Sequence, residues 1–324
     1  MIIDNITNDY KMTERLNELL AEIRKQRNFD VESFLSLKKS KILGYVKDSG
    51  ITDIVIGVSG GVDSAVSLSM LNELSKESGA FNVRPIFMPA HESVGVSGQM
   101  EAQKMAEKVC QKNDLDLLII DLNETTNCLV SSFKGKVSGD INAWAIGQLV
   151  SYLRTPTLYF YATLINQENG KLAVTATNIN ASEGQLIGYF GKAGDSMADL
   201  QLLSDLFKSE VYMLAKHYQV PEEIINRKPL PDMFDGKDDE VVFGFPYDFL
   251  EIYQSLLMDN SLMTIEDAKK SLKDDAESLE IFNVWEKNLN EIRKYNGHKY
   301  LVGSPSIHFD VIEINGLSWK YNNY

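Results

Sequence analysis

Only two cysteines, Cys110 and Cys128, occur in the 324 residues, and no Cys-X-X-Cys pair or spaced Cys/His cluster accompanies them. That excludes a disulfide framework and a zinc site, and reduced thiols in a cytoplasmic protein are expected. Positive charge is scarce: 32 Lys and Arg against 46 Asp and Glu leave a formal charge of −14. Such a surface repels nucleic-acid backbones, so no nucleic-acid partner is expected, although a local basic pocket for a nucleotide is compatible with it. No apolar run nears the ~20 residues of a membrane helix. The N-terminal MIIDNITNDYKMTERL is acidic and polar, unlike a secretory leader. Internal repeats and low-complexity tracts are missing too.

What is present suits an ordinary core, with 44% hydrophobic and 24% charged residues. Leu16, Leu19, Leu20 and Ile23 recur at helical spacing within Tyr10–Arg27, and a second helical stretch spans Val31–Asp48. Strands are expected at Asp53–Val58, Val83–Met88, Asp116–Asp121 and Lys171–Thr177. Helices are expected at Ala65–Lys76, Val96–Lys112, Trp144–Tyr161 around Pro156, and Leu206–His217. This alternation predicts an α/β fold, a doubly wound and mostly parallel sheet with helices on both faces. Asn226–Gly244 reads as a loop, Asp248–Lys294 as helices, and residues 298–319 as irregular or β-rich. The tyrosines Tyr152, Tyr159 and Tyr161 are expected in the core, and His217 and His308 carry no expected role.

The chemistry concentrates in Ser59-Gly60-Gly61-Val62-Asp63-Ser64, which follows a strand and opens a helix. In parallel α/β sheets, ligands bind beyond the carboxyl ends of strands. Glycines allow close backbone approach, and N–H groups at a helix start cradle anions. Ser59 and Ser64 add hydroxyls. A carboxylate at Asp63 would repel phosphate directly, so it suggests a bridging cation, Mg²⁺. With no Lys after the glycines, this is neither GxxxxGK[ST] nor GxGxxG.

The SGGxDS pattern resembles the signature of the ATP pyrophosphatases, or PP-loop enzymes, which cleave ATP between its α and β phosphates. A second block, Ala181 to Val220, resembles the NAD synthetase branch of that family. Glu183 stands at a magnesium-binding acid, Lys192, Gly194 and Asp195 match KxGD, and Asp205, Leu206 and Lys208 match DLxK. Pro221-Glu222, Leu153-Arg154-Thr155 with Leu158-Tyr159, Asp239-Glu240 with Gly244, and His298-Lys299 are further matches.

The resemblance implies an adenine nucleotide alpha hydrolase-like fold and usually a homodimer. It implies that ATP and ammonia convert deamido-NAD to NAD through an adenylated carboxylate, releasing AMP and pyrophosphate. Ser59, Gly60, Gly61, Val62, Asp63, Ser64, Thr177, Lys208, His298 and Lys299 would bind ATP. Asp63 and Glu183 would hold Mg²⁺. Arg154, Lys192 and Asp195 would meet deamido-NAD, and Asp63, Lys192, Asp195 and Lys208 would serve catalysis. The chain is read as a single such domain over residues 1–324, with N-terminal helices and a C-terminal extension. A glutaminase needs ~200 or more extra residues and its own nucleophile. None is visible, so ammonia is the expected donor.

Departures fall near the acceptor and the following loop. Tyr152 stands where the family has Arg, Ala193 where it has an aromatic ring, and Ser196 where it has Gly. Thr177 to Glu183 is one residue longer than the family pattern, and Asp238 replaces a hydroxyl. Two acceptor readings therefore stay open: deamido-NAD, or a different carboxylate amidated by a related PP-loop ligase.

Overall fold

The computed structural model describes residues 10–90, 96–227, 238–258, 261, 263–300, 307–308 and 322–323. Two helices, α1 (Glu14–Arg27) and α2 (Val31–Ser49), lead into β1 (Asp53–Gly57), α3 (Val62–Ser78), β2 (Asn82–Phe87), α4 (Val96–Lys112) and β3 (Leu118–Ile119). Then come α5 (Asn123–Phe133), α6 (Ala143–Asn166), β4 (Ala173–Thr177), a π-helix (Ser182–Ile187), a 3₁₀ turn (Asp195–Met197), β5 (Leu200–Gln201) and α7 (Lys208–His217). The remainder is α8 (Glu222–Ile225), α9 (Asp239–Phe243), α10 (Tyr247–Leu257), α11 (Ile265–Ser271), α12 (Ala276–Asn296) and a second 3₁₀ turn (Gly297–Tyr300). Two-residue strands β6 (Ile307–His308) and β7 (Asn322–Asn323) end the described chain.

The sheet runs β3-β2-β1-β4-β5-β6-β7, with every pairing parallel. Chain order reverses between β1 and β4, which makes the sheet doubly wound and opens a crevice at their carboxyl ends. Strand β1 is buried on both sides, as its unbroken apolar run requires. Ile54 and Ile56 join the cluster of α2, α3 and α7, while Val55 faces Val150, Leu158 and Ala162 of α6. A third cluster packs Leu16, Leu19 and Leu20 of α1 with Phe249 of α10 and Phe282 and Trp285 of α12, and takes in Leu186 and Ile187 of the π-helix. Thus the N-terminal and C-terminal helices share one apolar cluster with the π-helix.

Three expectations need correction, and one helix was not expected at all. The third strand shrinks to Leu118–Ile119, because only these residues pair with β2. Residues 123–133 form a helix that no strong apolar period announced. The loop of 226–244 contains α9, whose start is capped by the Asp238 carboxylate accepting from Val241 N at 2.9 Å; residues 228–237 lie outside the described residues. Tyr152 is exposed rather than in the core, and the Tyr159 hydroxyl donates to Met197 O at 2.5 Å. Of the segment 298–319, only residues 298–300, in the second 3₁₀ turn, and the strand residues 307–308 are described. Among the described residues no helix is long and apolar enough to cross a membrane. Cys110 is buried, Cys128 exposed, and both are free.

Candidate active site

Backbone geometry comes first. After β1 the chain turns at Gly60, whose φ of +79° is the left-handed region where glycine is favoured. A Cβ at Gly60 would stand 2.2 Å from Ala102 O of α4, so this position admits no side chain without moving a helix. Gly61 is the N-cap of α3 and offers no side-chain hydrogen bond, leaving the first N–H groups of the helix open to a ligand. Ser64 Oγ donates to Gly61 O at 2.9 Å, accepts from Ser59 N at 3.2 Å and lies 3.2 Å from Ser59 Oγ. The hydroxyls thereby tie the turn to itself.

Across the switch point, β4 ends at buried Thr177, and the chain passes through Asn178 and Asn180 into the π-helix carrying Glu183. Asn178 Nδ2 donates to Gly57 O at 3.0 Å, which ties this passage to the end of β1. Asn180 works twice: its Nδ2 donates to Asp63 Oδ1 at 2.9 Å, and its Oδ1 accepts from Glu183 N at 3.0 Å. The π-turn closes with Gly188 N donating to Glu183 O, in a form of helix common at functional sites.

Lys208, the first residue of α7, completes the arrangement. Its ammonium donates to Asp63 Oδ2 at 2.6 Å and Glu183 Oε1 at 3.0 Å, and only 5% of its side chain is exposed. Burial alone would lower its pKa, but the two carboxylates outweigh burial and hold it above the ordinary lysine value. The charge on Lys208 is therefore fixed at neutral pH.

Tyr247, at the start of α10, donates its hydroxyl to Glu183 Oε1 at 2.8 Å and lies 2.9 Å from Asp239 Oδ2. Tyr189 donates to Asp239 Oδ1 at 3.0 Å. Burial, with Glu183 nearby, pushes the Asp239 carboxyl up to about 7. Burial also raises the Tyr247 hydroxyl, helped by Asp239 and Glu183. A cavity of about 470 Å³ opens beside this cluster, lined among others by Lys208, Tyr212, Arg227, Asp239, Tyr247 and Glu251.

Other expected site residues lie on other elements. Lys192 is exposed on the turn between Gly191 and Gly194. The Gly194 site faces Ser151 Oγ, and the Gly191 site faces both Ser151 Oγ and the Tyr152 ring, so α6 packs on that turn. Asp195 begins the following 3₁₀ turn, and Arg154 is half-buried on α6. His298 is exposed. Lys299 turns inward and donates to Gly188 O at 2.8 Å and Phe190 O at 2.5 Å, with burial lowering its pKa to about 8. It reaches the end of the π-helix. Asp205 of the DLxK match is fully buried against Lys38 at 2.6 Å. Tyr189 and Tyr247 were not foreseen as site residues, since nothing local marks a tyrosine that reaches the site through tertiary packing.

A glycine turn after the central strand, facing acids and a lysine from beyond the switch point, defines a PP-loop α/β protein. The family model for NAD synthase matches residues 35–295. The chain belongs to the NAD synthase family. It is 34% identical over 216 residues to the NH(3)-dependent NAD(+) synthetase of Finegoldia magna, covering 67% of this chain and 80% of that one. It is 36% identical over 210 residues to the enzyme of the same name from Syntrophomonas wolfei, covering 64% and 78%. In fold it is similar to the NH3-dependent NAD synthetase of Campylobacter jejuni (TM-score 0.57, 21% identity, 83% of this chain and 96% of that chain). The NMN synthetase of Francisella tularensis is a comparable match (TM-score 0.58, 22% identity, 87% and 97%).

Proposed function

We propose that this protein is an ammonia-dependent NAD synthetase, and that the cluster of Asp63, Glu183 and Lys208 at the SGGVDS turn is where ATP is cleaved. The observation that carries the site assignment is the convergence of both carboxylates on the Lys208 ammonium, at 2.6 and 3.0 Å. Family membership supports the deamido-NAD acceptor, and the reading with a different carboxylate is not favoured.

A carboxylate does not exchange oxygen for ammonia unaided, because oxide would have to leave. Transfer of AMP from ATP to that oxygen makes it a leaving group and expels pyrophosphate. Ammonia then attacks the carbonyl carbon, the bond to AMP breaks, and the amide remains. The first step is an in-line displacement at phosphorus, so its catalysis is chiefly positioning and charge neutralisation. In this reading the N–H groups of Gly61, Val62 and Asp63 and the hydroxyls of Ser59 and Ser64 receive the departing pyrophosphate. Lys208 neutralises charge on it. Thr177, at the end of β4, borders the nucleotide. Arg154, Lys192 and Asp195 serve the acceptor.

Mg²⁺ suits the donor set. Among the described residues no group of three or more His, Cys, Asp or Glu could hold a metal unaided. Asp63 and Glu183 are brought to one side of the crevice by the Lys208 ammonium they share, and Mg²⁺ is commonly held by one or two carboxylates with phosphate oxygens and water. When bound there it would offset the phosphate charge that Lys208 alone cannot balance.

We place the protein in the cytoplasm as a homodimer. Apolar side chains on α5 and α6, including Phe133, Trp144, Phe160 and Leu164, are exposed and suit a second copy of the chain. Light scattering coupled to size exclusion tests the dimer; a monomer at high concentration removes it.

The activity is tested by mass spectrometry of products from ATP, Mg²⁺, ammonium and deamido-NAD, with each omitted in turn. NAD, AMP and pyrophosphate should appear together and require every component. Folded protein that yields no NAD overturns the acceptor assignment.

A further inference from the structure

We propose that α1 is a positioning brace for the reactive cluster, with Arg27 holding the first turn of α7 and Arg24 that of α10. The mechanism above uses neither residue. Both precede residue 35, where the family match begins.

Arg27 closes α1, and the chain then reverses at Asn28 with φ +46°. Its guanidinium makes a two-toothed contact with Glu210, Nε to Oε1 at 2.5 Å and Nη2 to Oε2 at 2.8 Å. The same Nη2 donates to Asp205 O at 2.9 Å, and the guanidinium carbon lies 4.2 Å from the Phe207 ring centre. Glu210 Oε2 in turn accepts from Phe207 N at 2.8 Å, which closes the first turn of α7. Arg27 therefore grips residues on both sides of Lys208. Its side chain is 8% exposed and that of Glu210 4%, so solvent screens the contact little. Lys38 of α2 fixes the approach to the same turn through Asp205.

Arg24 lies three residues earlier, on the same face of α1. It pairs with Glu251 through Nε at 2.9 Å and Nη2 at 2.7 Å, and with Asp248 at 2.8 Å. Asp248 follows Tyr247, and Glu251 sits one turn further along α10. One helix thus holds both elements whose first turns supply Lys208 and Tyr247, which both donate to Glu183 Oε1. Bidentate arginine–carboxylate contacts fix orientation as well as distance, which a lysine cannot do. A catalytic ammonium displaced by ~1 Å loses on the order of 10²-fold in rate.

The kinetic part rests on the reading of this cluster as the adenylating site; the structural part does not. The experiment combines pyrophosphate exchange into ATP, in the presence of deamido-NAD, with amide hydrogen exchange on the full chain. Arg27→Met is expected to lower kcat for exchange at least tenfold and leave the KM for deamido-NAD within twofold. Amides 208–212 should exchange at least tenfold faster while those of β1 and α3 keep their protection. Arg27→Lys should recover part of both. Activity that falls only in proportion to a general loss of protection would overturn the brace, as would an unchanged enzyme. If Arg27→Met does not fold, Arg24→Gln decides: faster exchange at 247–253 with lowered kcat supports the brace, and wild-type behaviour sinks it. Should the wild type make no NAD, the proposed function fails while the amide-exchange result still judges the brace.

Discussion

Lys208 Nζ lies 2.6 Å from Asp63 Oδ2, although the residues are 145 positions apart in the chain. The contact exists because α3 and α7 begin on either side of one crevice, and each presents its first turn. Asp63→Asn keeps the shape and the contact with Asn180 but removes the charge. AMP release should fall by on the order of 10²–10³-fold, the loss typical when an electrostatic partner of a developing charge is removed. Far-ultraviolet circular dichroism should be unchanged. Turnover equal to wild type would show that Asp63 does not hold Mg²⁺.

Gly60→Ala probes the cradle rather than the charge. The added Cβ meets Ala102 O at 2.2 Å, and φ is +79°. Neither can be relieved by a side-chain rotation, since the neighbour is backbone. Displacing α4 should cost at least ~2 kcal/mol. ATP binding by calorimetry should weaken in parallel with a fall in melting temperature. An unperturbed variant would mean that α4 is not seated against the turn.

How legible this was follows from where each determinant is written. The SGGVDS turn, Glu183 and Lys208 stand in short local patterns whose order matches a known arrangement, and the structure brings them together. Strand β1 and helix α3 were legible because an apolar run and a helical period each persist over several residues. Strand β5 has two residues and its partner β4 lies 24 positions earlier, so no local period could disclose it. Tyr189 and Tyr247 reach Asp239 and Glu183 only because α9 and α10 fold back over the π-helix. Asp238, conspicuous as an acid at a hydroxyl position, is a helix cap, a role visible once α9 is seen to begin there.

Asp239 gives the site a pH dependence of known sign. Its carboxyl is raised from 3.8 to about 7, by burial first and by Glu183 second. Around it stand Glu183 of the π-helix, Lys208 of α7, Tyr247 of α10 and Tyr189. The folded state therefore binds more protons than the unfolded chain between these values. This contribution to stability is complete below 3.8 and is lost as pH rises through about 7. Asp239→Asn should flatten the fall in denaturation midpoint between pH 5 and 7.5. If the variant and the wild type give parallel profiles there, Asp239 is not the titrating group.

Under the proposed function, Lys192 belongs to the acceptor end of the site and the Asp63–Lys208 cluster to the ATP end. It is exposed on the turn at Gly191–Gly194, against which Ser151 and Tyr152 of α6 pack, whereas the Lys208 ammonium bonds to Asp63 and Glu183. Removing it therefore leaves the phosphate cradle intact. Lys192→Ala should reduce kcat/KM for deamido-NAD about tenfold or more, the amount one charged contact made in the transition state commonly supplies. ATP affinity should stay within twofold, because the Ser59–Ser64 turn and Lys208 do not depend on this segment for their hydrogen bonds. Steady-state kinetics with each substrate varied in turn makes the comparison. Equal losses for ATP and deamido-NAD would place Lys192 in the shared architecture of the crevice rather than at the acceptor.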